Sequence, residues 1–111
     1  METVTIAEPK IPAVPPAKSA HPYLLKLGQV VITPGALAEI TIAGQTPFEF
    51  LIPHIHGNWG ELSSDDKKVN ELALANGERV LSAYRTKTDV KIWVITEADR
   101  SSTCILLPEE Y

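Results

Sequence analysis

Three runs decide the fold: Arg79-Val-Leu-Ser-Ala-Tyr-Arg-Thr86, Val90-Lys-Ile-Trp-Val-Ile-Thr-Glu97 and Thr103-Cys-Ile-Leu-Leu-Pro108. Each is rich in β-branched and aromatic residues, and each is separated from the next by a short polar stretch, which is the pattern of consecutive strands. Strand periodicity sets Val80, Ser82 and Tyr84 against Leu81, Ala83 and Arg85. In the next run it sets Ile92 and Val94 against Trp93 and Ile95. Apolar residues on both sides of the middle run predict an interior strand covered on much of both faces. Lys87 to Asp89 is the first predicted turn and Ala98 to Ser102 the second.

Upstream lies one more predicted strand, Leu27 to Ile32, expected to join the sheet at an edge. Three predicted helices follow. Thr33 caps the first and Pro34 opens it, where a missing N–H costs nothing. It runs to about Ala43 with Leu37, Ile40 and Thr41 on one face, and Gly44 stops it. Thr46, Pro47 and Glu49 repeat the device, the glutamate completing a capping box. Phe48, Leu51, Ile52 and Ile55 fall at helical spacing, and Pro53 is expected to kink or end that helix near Leu51. The third helix starts at Ser63 with Asp66, carries Val69, Leu72, Ala73 and Asn76 on one stripe, and ends at Gly77. The order β-α-α-α-β-β-β predicts an α+β domain, an antiparallel β-meander with helices packed on one face.

Residues 1–22 read as a flexible proline-rich leader and 23–111 as a single domain. Five of the nine prolines fall at positions 9, 12, 15, 16 and 22, a spacing through which neither helix nor sheet propagates. Pro12-Ala-Val-Pro15 matches a polyproline ligand pattern. Ile6, Ile11 and Val14 are apolar enough to dock on a partner or on the domain.

The chain has 111 residues, 44% hydrophobic and 22% charged, with a net charge of -4. That mild acidity argues against a general nucleic-acid coat, which is basic. The one cysteine, Cys104, excludes an internal disulfide and reads as a small buried hydrophobe. No run approaches a membrane span and no signal-peptide pattern opens the chain, so the expected location is the cytoplasm.

Three groups could carry chemistry. His54 and His56 form a histidine pair that, with Glu61, could reach a metal only from an extended segment; no metal or cofactor is expected. Asn58, Trp59 and Glu61 sit in a glycine-bounded loop, where the tryptophan is either a lid on the core or a binding platform. Glu97, Asp99 and Arg100 lie among hydroxyls in the last connection. There they either position an acid/base pair or anion, or make a self-contained turn in which Asp99 accepts N–H bonds and Arg100 pairs with Glu97 or Asp99. No catalytic-triad, phosphate-loop or dinucleotide motif is present.

Several stretches together carry a resemblance. They are His54-x-x-Gly57-x-Trp59-Gly60-Glu61, Arg79-Val80-Leu81-Ser82-Ala83-Tyr84, Ile92 through Ser101, and Leu106-Leu107-Pro108-Glu109-Glu110-Tyr111. From about Leu27 onward the chain resembles a family of small bacterial proteins carried on plasmids and integrative elements, some labelled plasmid-related protein. The resemblance implies a mobile-element setting. Members carry an acidic residue where this chain has Asn58, so it lends that loop no metal or acid/base role. The element order is also similar to that of small ribonuclease toxins of toxin–antitoxin systems, with Arg79, Tyr84, Arg85, Lys87 and Lys91 as a modest basic patch.

The expectation is a non-enzymatic interaction protein of a mobile element. Asn58, Trp59, Glu61, Glu97, Asp99 and Arg100 would form its contact surface toward a protein partner, such as a host defence or restriction component. The alternative is a small RNA- or DNA-acting enzyme using His54, Glu97, Asp99 and Arg100. A homo-oligomer is compatible with either; a membrane partner is not expected.

Overall fold

The computed structural model describes residues 3–6 and 25–111. Its elements run β1 (Val4–Ile6), β2 (Gln29–Ile32), α1 (Pro34–Ile42), α2 (Phe48–Ile55), α3 (Ser64–Asn76), β3 (Val80–Arg85), β4 (Lys91–Thr96) and β5 (Ser102–Leu106), then a 3-10 turn at Pro108–Glu110. From β2 onward this is the predicted α+β order. The five strands form one sheet in the order β1-β2-β5-β4-β3.

The β3-β4-β5 meander is antiparallel, with Val80 opposite Thr96 at one end and Arg85 opposite Lys91 at the other. Both hairpin turns close through a residue at positive φ, Asp89 at 66° and Arg100 at 60°. The upstream strand is not at an edge. β2 lies parallel to β5, and β1 covers its other side, antiparallel, so the sheet is mixed. The helical segment between β2 and β5 makes this parallel return possible, since parallel strands need a long crossover. β1 is also a strand within the proline-rich leader. It forms because Val4–Ile6 precede the first proline, Pro9, and keep their N–H donors. Ile6 packs against the main core. The Pro12–Pro15 motif, Ile11 and Val14 lie outside the described residues.

α1 and α2 pack on one sheet face. Ala36, Ile40, Phe50, Leu51 and Ile55 meet Val30, Ile32, Ile92, Val94 and Ile105 there. Thr33 accepts the Ala36 N–H as N-cap of α1, at 3.1 Å. Thr41, expected on the inner face, is exposed, and the small Ala36 lies inside instead, which lets the helix sit close to the sheet. In α2 the inward face is Phe50, Leu51, His54 and Ile55, while Phe48 is exposed. Pro53 does not end this helix. In eight residues its missing N–H removes one ladder bond, and the turn is closed by His56 N–H to the Ile52 carbonyl at 3.3 Å.

α3 begins as expected, with Ser63 Oγ accepting the Asp66 N–H, and ends at Gly77 in the left-handed conformation. Its buried side is Asn70 and Ala73; Val69 and Leu72 are 61% and 62% exposed. The reason is position: α3 covers the β3 edge of the sheet. Asn70 bonds the Leu81 backbone, while Ala73 joins Leu25, Trp59 and Val80 in a second core cluster.

Candidate functional site

His54 is 0% exposed and lies between two hydroxyls. Its Nδ1 is 2.6 Å from Ser82 Oγ and its Nε2 is 2.8 Å from Thr96 Oγ1. Thr96 Oγ1 is 2.8 Å from Thr103 Oγ1, and Thr103 Oγ1 donates to the Leu27 carbonyl at 2.8 Å. Counting hydrogens fixes the direction of the chain. Thr103 spends its one proton on Leu27, so Thr96 donates to Thr103. Nε2 must then donate to Thr96, and Nδ1 accepts from Ser82. His54 is therefore the neutral Nε2–H tautomer, at the centre of a one-way relay that ties β3, β4, β5 and the Leu27 segment to α2. Burial, with the positive charge of Arg100 adding to it, pushes the His54 pKa down from 6.5 to about 3.

A serine 2.6 Å from an imidazole resembles half of a hydrolytic triad. Ser82, Thr96 and Thr103 are, like His54, 0% exposed, so no substrate atom can reach the pair. The four residues act as a structural relay. His56 takes the C-cap of α2, and both ring nitrogens of His54 are held by hydroxyls, so His54 has no nitrogen left to share a metal with it. Among the described residues there is no cluster of three or more His, Cys, Asp or Glu able to hold a metal.

Trp59 is 3% exposed and is core rather than platform. Its ring meets the His54 ring edge-on at 5.9 Å, and Nε1 donates to Glu71 on α3 at 2.8 Å. The loop that carries it binds the free edge of β3: Ala83 N–H donates to the Trp59 carbonyl at 3.1 Å and Glu61 N–H to the Ala83 carbonyl at 2.6 Å. Gly60 sits between them at φ 76°, where an added Cβ would stand 2.0 Å from the Ala83 carbonyl oxygen. Asn58 is exposed, and its carbonyl accepts from the Tyr84 hydroxyl. Glu61 is exposed and pairs with Arg85 at 2.9 Å, which raises the arginine pKa further.

The last connection is a self-contained turn. Asp99 accepts from Ser101 Oγ at 2.6 Å and from Ser101 N–H at 3.0 Å, bonds that lower its pKa. Arg100 does not pair with Glu97 or Asp99 carboxylates. Its guanidinium donates to the carbonyls of Glu78 at 2.6 Å, Glu97 at 3.1 Å and Ala73 at 3.4 Å. It thus places a positive charge at the C-terminal end of α3, where the helix dipole favours one. Glu97 and Asp99 remain exposed. They lie at the Val80 end of β3, whereas Glu61 and Asn58 approach Ala83 and Tyr84, about 10 Å further along the strand. The two predicted halves of the contact surface are therefore not brought together.

An open groove of about 470 Å³ lies on the sheet face opposite α1 and α2. Its floor is Arg79, Leu81 and Ala83 of the β3 segment with Lys91 and Trp93 of β4. Leu62, Ser63, Asp66, Val69 and Asn70 form the wall, and Glu61 closes one end. Trp93 is half-buried and meets the Tyr111 ring edge-on at 5.8 Å. Arg79 lies over the same Tyr111 ring at 5.4 Å and donates to its hydroxyl. Arg79 and Lys91 form no ion pair among the described residues.

Of the basic patch read from the sequence, Arg79, Arg85 and Lys91 share this face. Tyr84 points to the helix side, and Lys87 lies in the turn, its N–H bound to Gln45. The groove is not visible in local pattern because its wall comes from α3, where helical spacing predicts Val69 on the inward stripe and the structure exposes it. The signal was Trp93, which alternates with Ile92 and Val94 and so had to face away from them. Cys104 is half-buried, and burial pushes its thiol pKa up, so it is a poor nucleophile.

The described residues thus form an α+β domain with a five-stranded mixed sheet, a sealed polar relay and an open groove. No helix among the described residues is long and apolar enough to cross a membrane. No protein family, curated protein or solved structure was found to match the chain.

Proposed function

We propose that this chain is a non-enzymatic interaction protein that engages a protein partner through the groove over Trp93. The observation that carries this reading is a contrast between two sites. The histidine of the relay, His54, is sealed from solvent, while the groove is open, floored by Trp93 and Leu81, and edged by exposed Val69. Aromatic and arginine anchors beside exposed apolar residues are the composition of protein-binding hot spots. Trp59, from inside, and the Glu61–Arg85 pair hold the groove end in place. The resemblance to plasmid- and integrative-element-borne proteins supports a mobile-element setting in the cytoplasm, with a host defence or restriction component as the partner.

The second reading is action on RNA or DNA, favoured by Arg79, Arg85 and Lys91 around Trp93 on one sheet face; the net charge of -4 weighs against it. A pull-down from host lysate with tagged wild type beside Trp93→Ala separates the two, with nucleic acid recovered from the same beads. A protein captured by the wild type and lost by a variant of unchanged melting temperature supports the interaction reading. Enriched or shortened nucleic acid with no protein band overturns it.

A further inference from the structure

Resting on the protein-binding reading above, we infer that the groove takes an extended peptide segment with apolar side chains at its centre and a carboxylate at each end. The charges on the floor set this pattern. Arg79 stands at one end of the β3 floor, and Lys91, opposite Arg85, stands at the other. Six residue steps separate those levels, about 20 Å, which an extended segment of about seven residues spans. Between them the floor is Leu81 and Trp93, facing Val69 across the groove.

The acidic wall does not cancel the cations. Glu61 is committed to Arg85 at 2.9 Å. Asp66 lies in the first turn of α3, where the helix N-terminus offsets its charge. Arg79 and Lys91 have no carboxylate partner among the described residues, so a ligand's carboxylates can complete them.

The peptide also cannot bind by adding a strand beside β3. The β3 edge is already occupied at Ala83 by the Trp59–Glu61 loop and at Leu81 by the Asn70 amide. Recognition therefore runs through side chains on the sheet face. That favours a ligand defined by residue pattern over one that supplies backbone hydrogen bonds.

The test uses three labelled peptides of about seven residues with the same leucine-rich centre and aspartate, lysine or serine at both ends. Fluorescence anisotropy reads their binding to the full chain, to the double variant Arg79→Glu/Lys91→Glu and to Leu81→Asp. The expected result is preference of the wild type for the aspartate-ended peptide, weakened by salt and about tenfold by the charge reversal. The lysine-ended peptide should gain affinity for the reversed variant. Equal binding of all three peptides, abolished by Leu81→Asp, overturns the charge pattern and leaves the protein-binding reading standing. Binding of none of them overturns the peptide inference. Binding of a twelve-nucleotide oligo(U) in their place overturns the protein-binding reading as well.

Discussion

Asn70 and Leu81 are bonded to each other twice. The Asn70 side-chain NH2 donates to the Leu81 carbonyl at 2.6 Å, and the Leu81 N–H donates to Asn70 Oδ1 at 3.2 Å. A helix side chain here occupies the place of a neighbouring strand. With the Gly60–Ala83 bridge beside it, it closes the edge of β3, which would otherwise present unpaired N–H and C=O groups to other chains. Asn70→Ala is expected to destabilise the domain by about 1–3 kcal/mol, the cost of leaving partly buried backbone groups unpaired. It should also raise the tendency to aggregate. Urea unfolding and light scattering check both; an unchanged midpoint would show that water replaces the amide at no cost.

The buried relay predicts a pH dependence. His54 stays neutral, without a second ring proton, in the folded state until about pH 3, against an ordinary value of 6.5. Between those values the unfolded chain binds a proton that the folded chain refuses. The stability is therefore fully present above about pH 6.5 and declines as pH falls toward 3, by up to about 1.4 kcal/mol per pH unit. The charged group acting on His54 is Arg100, whose sign pushes the same way. Unfolding midpoints at pH 7 and pH 5 should drop more for wild type than for His54→Gln; an equal drop assigns the effect elsewhere. The imidazole 15N shifts should report a neutral ring protonated at Nε2 throughout this range.

Trp59→Ala is expected to destabilise the domain by about 3–5 kcal/mol, since it empties the centre of the second core cluster. Trp59→Phe should lose less, removing chiefly the bond to Glu71. Thermal melts of the two variants rank them. A Trp59→Ala protein as stable as wild type would mean that the tryptophan is not part of the core.

Arg100 combines an unfavourable backbone with a favourable side chain. At φ 60° a non-glycine residue costs roughly 1–2 kcal/mol, while its guanidinium binds three carbonyls, those of Ala73 and Glu78 at the end of α3 and that of Glu97 in its own turn. Arg100→Ala should lose the contacts and keep most of the strain. Arg100→Gly should lose the contacts and relieve it, so the glycine variant is expected to be the more stable by about 1 kcal/mol. Denaturant titration of the pair measures the difference, and the reverse order would overturn the assignment of strain.

Much of the architecture was legible in the sequence because it rests on local chemistry. Alternation in Val80–Arg85 and Lys91–Thr96 set the strands and put Trp93 opposite Ile92 and Val94. Thr33, Ser63, Gly44 and Gly77 marked helix ends, since a helix terminus needs caps that only a few residue types supply. Tertiary structure decided what local pattern leaves open. Helical spacing in α2 and α3 allows more than one inward face. The choice fell to long-range partners: Ser82 and Thr96 draw His54 inside, and the backbone of Leu81 draws Asn70 inside, leaving Val69 and Leu72 in solvent. The parallel seating of β2 against β5 joins residues more than seventy positions apart, as does the Thr103 bond to Leu27. A hydrogen bond across such a separation leaves no periodicity in the chain, so the relay and the groove exist only once the sheet has closed.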